Sequence, residues 1–296
     1  MSNSNLILTH DNTRIVVDSS SNVPAAIRAQ YGMIEVPTLV NFGTESFRNN
    51  VDLSEVEFYR KLAAGDQIPT TSQPPPKFFA DAYQACLADG ADHIVVVTIT
   101  KNLSGTFGSA QTATREFDTV GFTMWDGDSI SLGSGWQAII AARLLEEGLT
   151  AAALVAQLDQ IRAATHGFAT LDTLKYAALS GRIGNLQANL GNLLQVKAIL
   201  EIAHGQVVNM ARARGRKRAL RDLIERIDQQ FGSVPLNLGI IHADALADAE
   251  ALAEDVRTRL QVAELLFSDI GPAIASFGGP GAIGIVGFPA ALATPA

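Results

Sequence analysis

Cysteine is nearly absent from this chain of 296 residues: Cys86 stands alone, so no disulfide framework can form within it. Five histidines are scattered without metal-site spacing, which makes a metal-free chain the expectation. Positive charge is also short. Against 30 acidic residues there are 22 Lys and Arg, a net charge of −8, which argues against nucleic acid as the main partner, since phosphate neutralisation needs clustered cations over a large face. No apolar run approaches the roughly 18 residues of a membrane helix, and the opening MSNSNLILTHDNTR has neither the basic start nor the apolar stretch of a signal peptide. A cytoplasmic protein with no integral membrane segment is the expectation.

What the chain does have is aliphatic bulk. Apolar residues reach 47% and charged ones 18%, an ordinary globular balance weighted toward Ala, Leu, Ile and Val. The length suits two domains of roughly 150 residues each. Short β-branched runs at 14–18, 33–42, 92–100 and 121–125 read as buried strands. Helices are predicted between them: 54–64, with the capping-box pair Ser54 and Glu57 and a stop at Gly65, then 75–88, 105–117 and 133–148. This alternation predicts a mainly parallel sheet with helices on both faces. A further helix starts near Thr150, and the boundary falls near residue 160, giving domains over 1–160 and 161–296. The second domain reads as α/β with a mixed sheet: a strand and helix over 166–182, two strands joined at His204-Gly205, helices at 215–229 and 245–258, and strands at 236–241, 263–268 and near the end.

Parallel sheets gather ligands beyond the C-terminal ends of their strands. Three hydroxyl-rich stretches fall there. Ser104-Gly105-Thr106 sits where a helix begins, a position suited to an anion and equally to an N-cap. Thr70, Thr71 and Ser72 precede the helix at 75 and carry the same two readings, and Asp18-Ser19-Ser20 reads as a turn and cap or as a wall of the same crevice. No His or Asp can be assigned by spacing as a base for Ser104, and His93, within a strand, reads as structural. The run Arg212, Arg214, Arg216, Lys217, Arg218 reads as a solvated helix start or as a site for a phosphorylated ligand or acidic partner. Gly278-Gly279-Pro280-Gly281 lacks both the dinucleotide fingerprint and a P-loop lysine, and reads as a tight turn.

Together VVDSSSNVP, VPTLVNFGTESFRN, PTTSQPPPKF, LSGTFGSAQ, DSISLGSG, LDTLKYAALSGRIG, ARARGRKRAL and GGPGAIGI follow one another in an order that resembles the DegV family, over about residues 14–288. The resemblance implies the two-domain DegV-like (EDD) α/β fold with one long-chain fatty acid between the domains, no cofactor and no catalytic residue. It implies a carboxylate held by Thr71 and Ser104, with Ser72, Gly105, Phe277 and Gly278 beside them and Arg214 as a headgroup or partner contact. It also implies a partner, the catalytic subunit of a fatty acid kinase, which phosphorylates the presented carboxyl. One departure is visible. Where the family commonly has His-Thr-Gly-Pro-Gly, with the histidine beside the headgroup, this chain has Phe277-Gly278-Gly279-Pro280-Gly281, and a phenyl ring neither donates a hydrogen bond nor carries charge. Two other readings stand beside this one: an acyl- or phosphoryl-processing enzyme using Ser104, and a regulator whose basic run docks an acidic protein.

Overall fold

A computed structural model describes residues 6–65, 67–182 and 196–294. The Ile183-Gly184 end of the LDTLKYAALSGRIG motif and the last two residues of the tail lie outside the described residues. The first half runs β1 (Ile7–Leu8), β2 (Thr13–Asp18), a 3-10 turn (Ser19–Ser21), α1 (Ala25–Gln30), β3 (Ile34–Val36), β4 (Leu39–Phe42), β5 (Glu45–Arg48), α2 (Glu55–Ala64), β6 (Thr70–Ser72), α3 (Pro76–Ala88), β7 (His93–Thr98), α4 (Thr106–Ala113), β8 (Gly121–Asp126) and α5 (Leu132–Glu147). The remainder comprises β9 (Leu149–Thr150), α6 (Ala151–Ala164), β10 (His166–Leu171), α7 (Lys175–Ser180), β11 (Val196–Ala203), β12 (Gln206–Arg214), α8 (Arg216–Phe231), β13 (Leu236–His242), α9 (Leu246–Arg259), β14 (Val262–Asp269), α10 (Pro272–Gly278) and β15 (Ile283–Pro289).

Strands β3-β2-β7-β8 form a four-stranded sheet in which every pairing is parallel. Because side chains alternate along a strand, Val16, Ile94 and Val96 face Phe79 and Tyr83 of α3, whereas Ile15, Val17, Val95 and Val97 face the layer containing α5. That alternation gives the sheet helices on both faces. The second sheet, β12-β11-β10-β15-β13-β14, is mixed: β13–β14 pair in parallel and the other neighbours antiparallel. Its outer face carries Phe168, Leu238 and Ile285 against Leu223 and Ile227 of α8 and Leu252 of α9.

Helix α5 lies between the two sheets, with Trp136, Ile139 and Ile140 fully buried, and Trp136 meets Phe288 of β15 edge-on at 5.7 Å. A helix apolar on all sides belongs in such a layer. One buried core therefore runs from Leu8 to Phe288, across both sheets.

Several short elements depart from the sequence expectation. The predicted strand 33–42 is two strands, β3 and β4, split at Pro37, whose ring supplies no backbone N–H. β4 pairs with β5 and β6 in a small antiparallel sheet. The Gly/Pro-rich stretch before the last strand contains a helix, α10, with Pro272 at its first turn, where a missing N–H costs nothing. The Ser54–Glu57 capping box, the left-handed Gly65, and the hairpin at His204-Gly205 form as the sequence predicts. His93 is structural, its Nε2 lying 2.8 Å from Thr123 Oγ1.

Candidate functional site

A cavity of about 430 Å³ lies between the two sheets, and its lining divides along the chain. The polar side chains Ser20, Thr38, Thr71, Ser72, Gln73 and Ser104 all precede residue 160. After that position the described lining is apolar or glycine, from Ala169 and Leu171 on β10 to Leu200, Ile202 and Val207 on the β11–β12 hairpin and Ile241 on β13, with one exception, Arg182. The lining hydroxyls thus all come from the first half, which also contributes Ile99, Leu103 and Ile130, while the second half adds a largely apolar surface.

The hydroxyls reach it from three places. Thr71 and Ser72 do not cap α3. They lie on β6, with Thr71 opposite Val40 and Ser72 opposite Leu39 of β4, while α3 begins after Pro75 with no side-chain cap. The cap reading fails there because the strand pairing orders these residues several positions before the helix. Asn41 Nδ2 donates to Ser72 Oγ at 3.1 Å. Ser104 precedes Gly105, the capping position of α4; its hydroxyl lies 2.8 Å from Thr106 Oγ1 and accepts from the Thr106 N–H at 3.3 Å. Gly105 lines the cavity at the amino end of α4, where unpaired N–H groups and the helix dipole favour an anion.

Ser20 and Thr38 complete the lining hydroxyls. Asp18, wholly buried, accepts from the Ile99 N–H at 2.7 Å and the Ser20 N–H at 2.9 Å, so the turn after β2 is fastened to the loop after β7. Burial pushes its carboxyl up to about 6 against those two hydrogen bonds. Ser19 Oγ accepts from the Thr38 N–H at 3.0 Å and lies 2.8 Å from Thr38 Oγ1, which fixes the start of β4. The turn reading of Asp18-Ser19-Ser20 holds, and Ser20 is a cavity wall as well.

Phe277 and Gly278 line the cavity from the end of α10, beside Ala273 and Ile274 of the same helix. The helix is anchored across the halves: Asn49 Oδ1 accepts from the Ala273 N–H at 3.2 Å. Gly281, in the turn that follows, has a positive φ of 79° and lies against Asp172, as a tight turn with close backbone approach requires.

Arg214 is not among the cavity-lining residues. It lies at the end of β12 and shares a surface hollow with Lys217, Arg218 and Arg221. Arg216 departs from the solvated reading of that run: Nε donates to Asp248 at 2.7 Å, and one terminal nitrogen donates to the Gly281 carbonyl at 2.6 Å and to Asp172 at 3.2 Å. Arg182, an exposed residue whose Nη1 donates to the Ser180 carbonyl at 2.7 Å, also borders the cavity, and sequence reasoning did not single it out. Thr38 was likewise hidden within an apparent strand, with Pro37 as the available signal of a break. Among the described residues no cluster of His, Cys, Asp and Glu is arranged to hold a metal, and no helix is long and apolar enough to cross a membrane.

Fold and cavity together define an α/β protein with a largely apolar internal cavity that also carries several hydroxyls. The profile of the family described as "Uncharacterised protein, DegV family" matches residues 12–290, and the chain belongs to the DegV family. A DegV domain-containing protein of Deinococcus radiodurans is 34% identical over 276 residues, covering 92% of this chain and 96% of that protein. Among solved structures, a DegV family protein of Thermus thermophilus, described by its fatty-acid binding, superposes with a TM-score of 0.87 at 33% identity, covering 94% of this chain and 99% of the other. DegV of Bacillus subtilis, a fatty acid binding protein, gives a TM-score of 0.84 at 28% identity over 94% and 99% of the two chains.

Proposed function

We propose that this protein binds one long-chain fatty acid between its two halves, treated as domains divided near residue 160, and presents the carboxylate to a separate fatty acid kinase. The observation that carries the reading is the cavity's lining, whose hydroxyls all come from the first half and whose residues from the second half are apolar or glycine apart from Arg182. Thr71 and Ser104 donate to the carboxylate, with Ser72, the Gly105 N–H and Arg182 beside them, and Phe277 and Gly278 bound the space. The fatty-acid binding of the Thermus and Bacillus proteins supports it.

The energetics suit such a ligand. A partly desolvated carboxylate needs several donors, and charge-assisted bonds from hydroxyls, a guanidinium and helix-end N–H groups offset the loss of water. Each buried methylene contributes about 0.8 kcal/mol, so a long chain supplies on the order of 10 kcal/mol before ordering costs. A nucleophilic serine needs a base within hydrogen-bond reach, whereas Ser104 is engaged by Thr106. That engagement supports a binding role for Ser104 rather than a catalytic one.

Native mass spectrometry of gently purified protein, followed by lipid extraction, tests the reading. One stoichiometric fatty acid, lost or reduced in a Thr71→Ala/Ser104→Ala double variant, is the expected result. A protein that is empty and takes up no added fatty acid overturns it.

A further inference from the structure

The two hydroxyl-bearing segments belong to different sheets, and one side chain spans them. Thr71 sits on β6 of the small antiparallel sheet; Ser104 and Gly105 follow β7 of the parallel one. Gln73, just after β6, reaches across and its Nε2 donates to Ser109 Oγ of α4 at 3.1 Å. Ser109 is buried, which makes it a fixed anchor. Among the described hydrogen bonds, this is the one joining residues 70–75 to residues 100–113. The Gln73 amide also lies close to Gly105: a β-carbon there would collide with Oε1 and stand 2.9 Å from Nε2. Gly105 has a φ of −78°, open to any residue, so a side chain there would be accommodated only by moving the Gln73 amide.

We infer that Gln73 is a positioning residue that sets the separation between the Thr71 hydroxyl and the Ser104–Gly105 helix start, and so the capacity of the site to hold a carboxylate by both oxygens at once. This inference rests on the binding reading above and names the residue that gives that site its selectivity for an anionic head. A carboxylate offers two acceptor atoms a fixed distance apart, and donors on separate elements serve both only when something holds those elements in register. The amide of Gln73 carries no charge and, although the residue lines the cavity, its positioning role runs through Ser109 and Gly105.

Two probes of equal tail length separate head from tail: palmitate, which carries the carboxylate, and hexadecanol, which does not. In Gln73→Ala, palmitate affinity is expected to fall about tenfold or more, the scale of a lost hydrogen bond to a charged group, while hexadecanol affinity stays within about twofold. Gly105→Ala is expected to do the same by forcing the amide away. The double variant is expected to be no weaker than Gln73→Ala, because the added methyl then has nothing to displace. Palmitate affinity unchanged in Gln73→Ala overturns the inference, and so do equal losses for both probes or additive losses in the double variant. A wild-type protein that takes up neither probe refutes the binding reading, and the clamp falls with it. Thermal unfolding of each ligand-free variant accompanies the titrations, and a variant that does not fold counts against the inference, since α4 and β6 are each held by their own backbone pairing.

Discussion

The Gly205 N–H donates to the Asp128 carbonyl at 2.7 Å, across the divide between the halves. Gly205 is the tip of the β11–β12 hairpin, whose Leu200, Ile202 and Val207 line the cavity; its own carbonyl accepts from Thr100 Oγ1 at 3.3 Å. The hairpin is therefore wall and strap together. Its tip is tied to loops at the carboxyl ends of β7 and β8.

The tie makes Gly205 hard to replace. Its φ is 69°, and a β-carbon would run into the side chains of Asp128, Asn102 and Thr100. Gly205→Ala is expected to lose about 1–3 kcal/mol of stability, read as a lower urea midpoint, and to release bound fatty acid faster. An unchanged midpoint and release rate would mean the tip is not clamped.

Tail length is expected to follow the hairpin's side chains. Ile202→Phe or Val207→Phe adds bulk to the apolar lining, and the fatty acids extracted from those variants should be shorter by a few carbons than those of the wild type. Lipid mass spectrometry reads the shift directly. An unaltered length distribution would place the end of the tail elsewhere.

Two carboxyls lend the fold a dependence on pH. Burial holds Asp18 at about 6, and burial followed by the charge of Asp269 holds Glu55 at about 7. Each binds its proton more tightly folded than unfolded. Its stabilising contribution is complete below the unfolded values, 3.8 and 4.5, and is lost as pH rises through about 6 and about 7. Unfolding free energy attributable to these groups should fall across that window. Glu55→Gln is expected to match the wild type near pH 4.5 and exceed it at pH 8 in urea titrations; equal differences at both pH values would refute the assignment.

The exposed basic hollow lies outside the cavity lining, so its charge is separable from lipid binding. Arg214→Glu is expected to leave lipid occupancy intact and to abolish phosphorylation of the bound fatty acid by an added kinase catalytic subunit. Loss of occupancy in this variant would instead tie Arg214 to the head.

The long elements were legible in the sequence because each carries many residues of one period: β2 and β7 as β-branched runs, and α2 as a helix bracketed by Ser54 and Gly65. β6 was not, since PTTSQPPP has the composition of a turn and owes its extended form to β4, some thirty residues away. α10 was masked by the Gly and Pro around it. Thr71, Ser104 and Phe277 could be named from their motifs, and all three line the cavity. Arg182 and Thr38 could not, because their place there depends on how the two sheets face each other, which leaves no local mark.

The split lining also has a consequence for how such a chain can be altered. On the proposed binding reading, the hydroxyls that would recognise an acid group all come from upstream of α6, whereas the lining downstream of it is apolar or glycine apart from Arg182. Changes to cargo length and changes to cargo chemistry thus fall in separate stretches of sequence. A chimera that keeps one stretch and exchanges the other should inherit one trait from each parent.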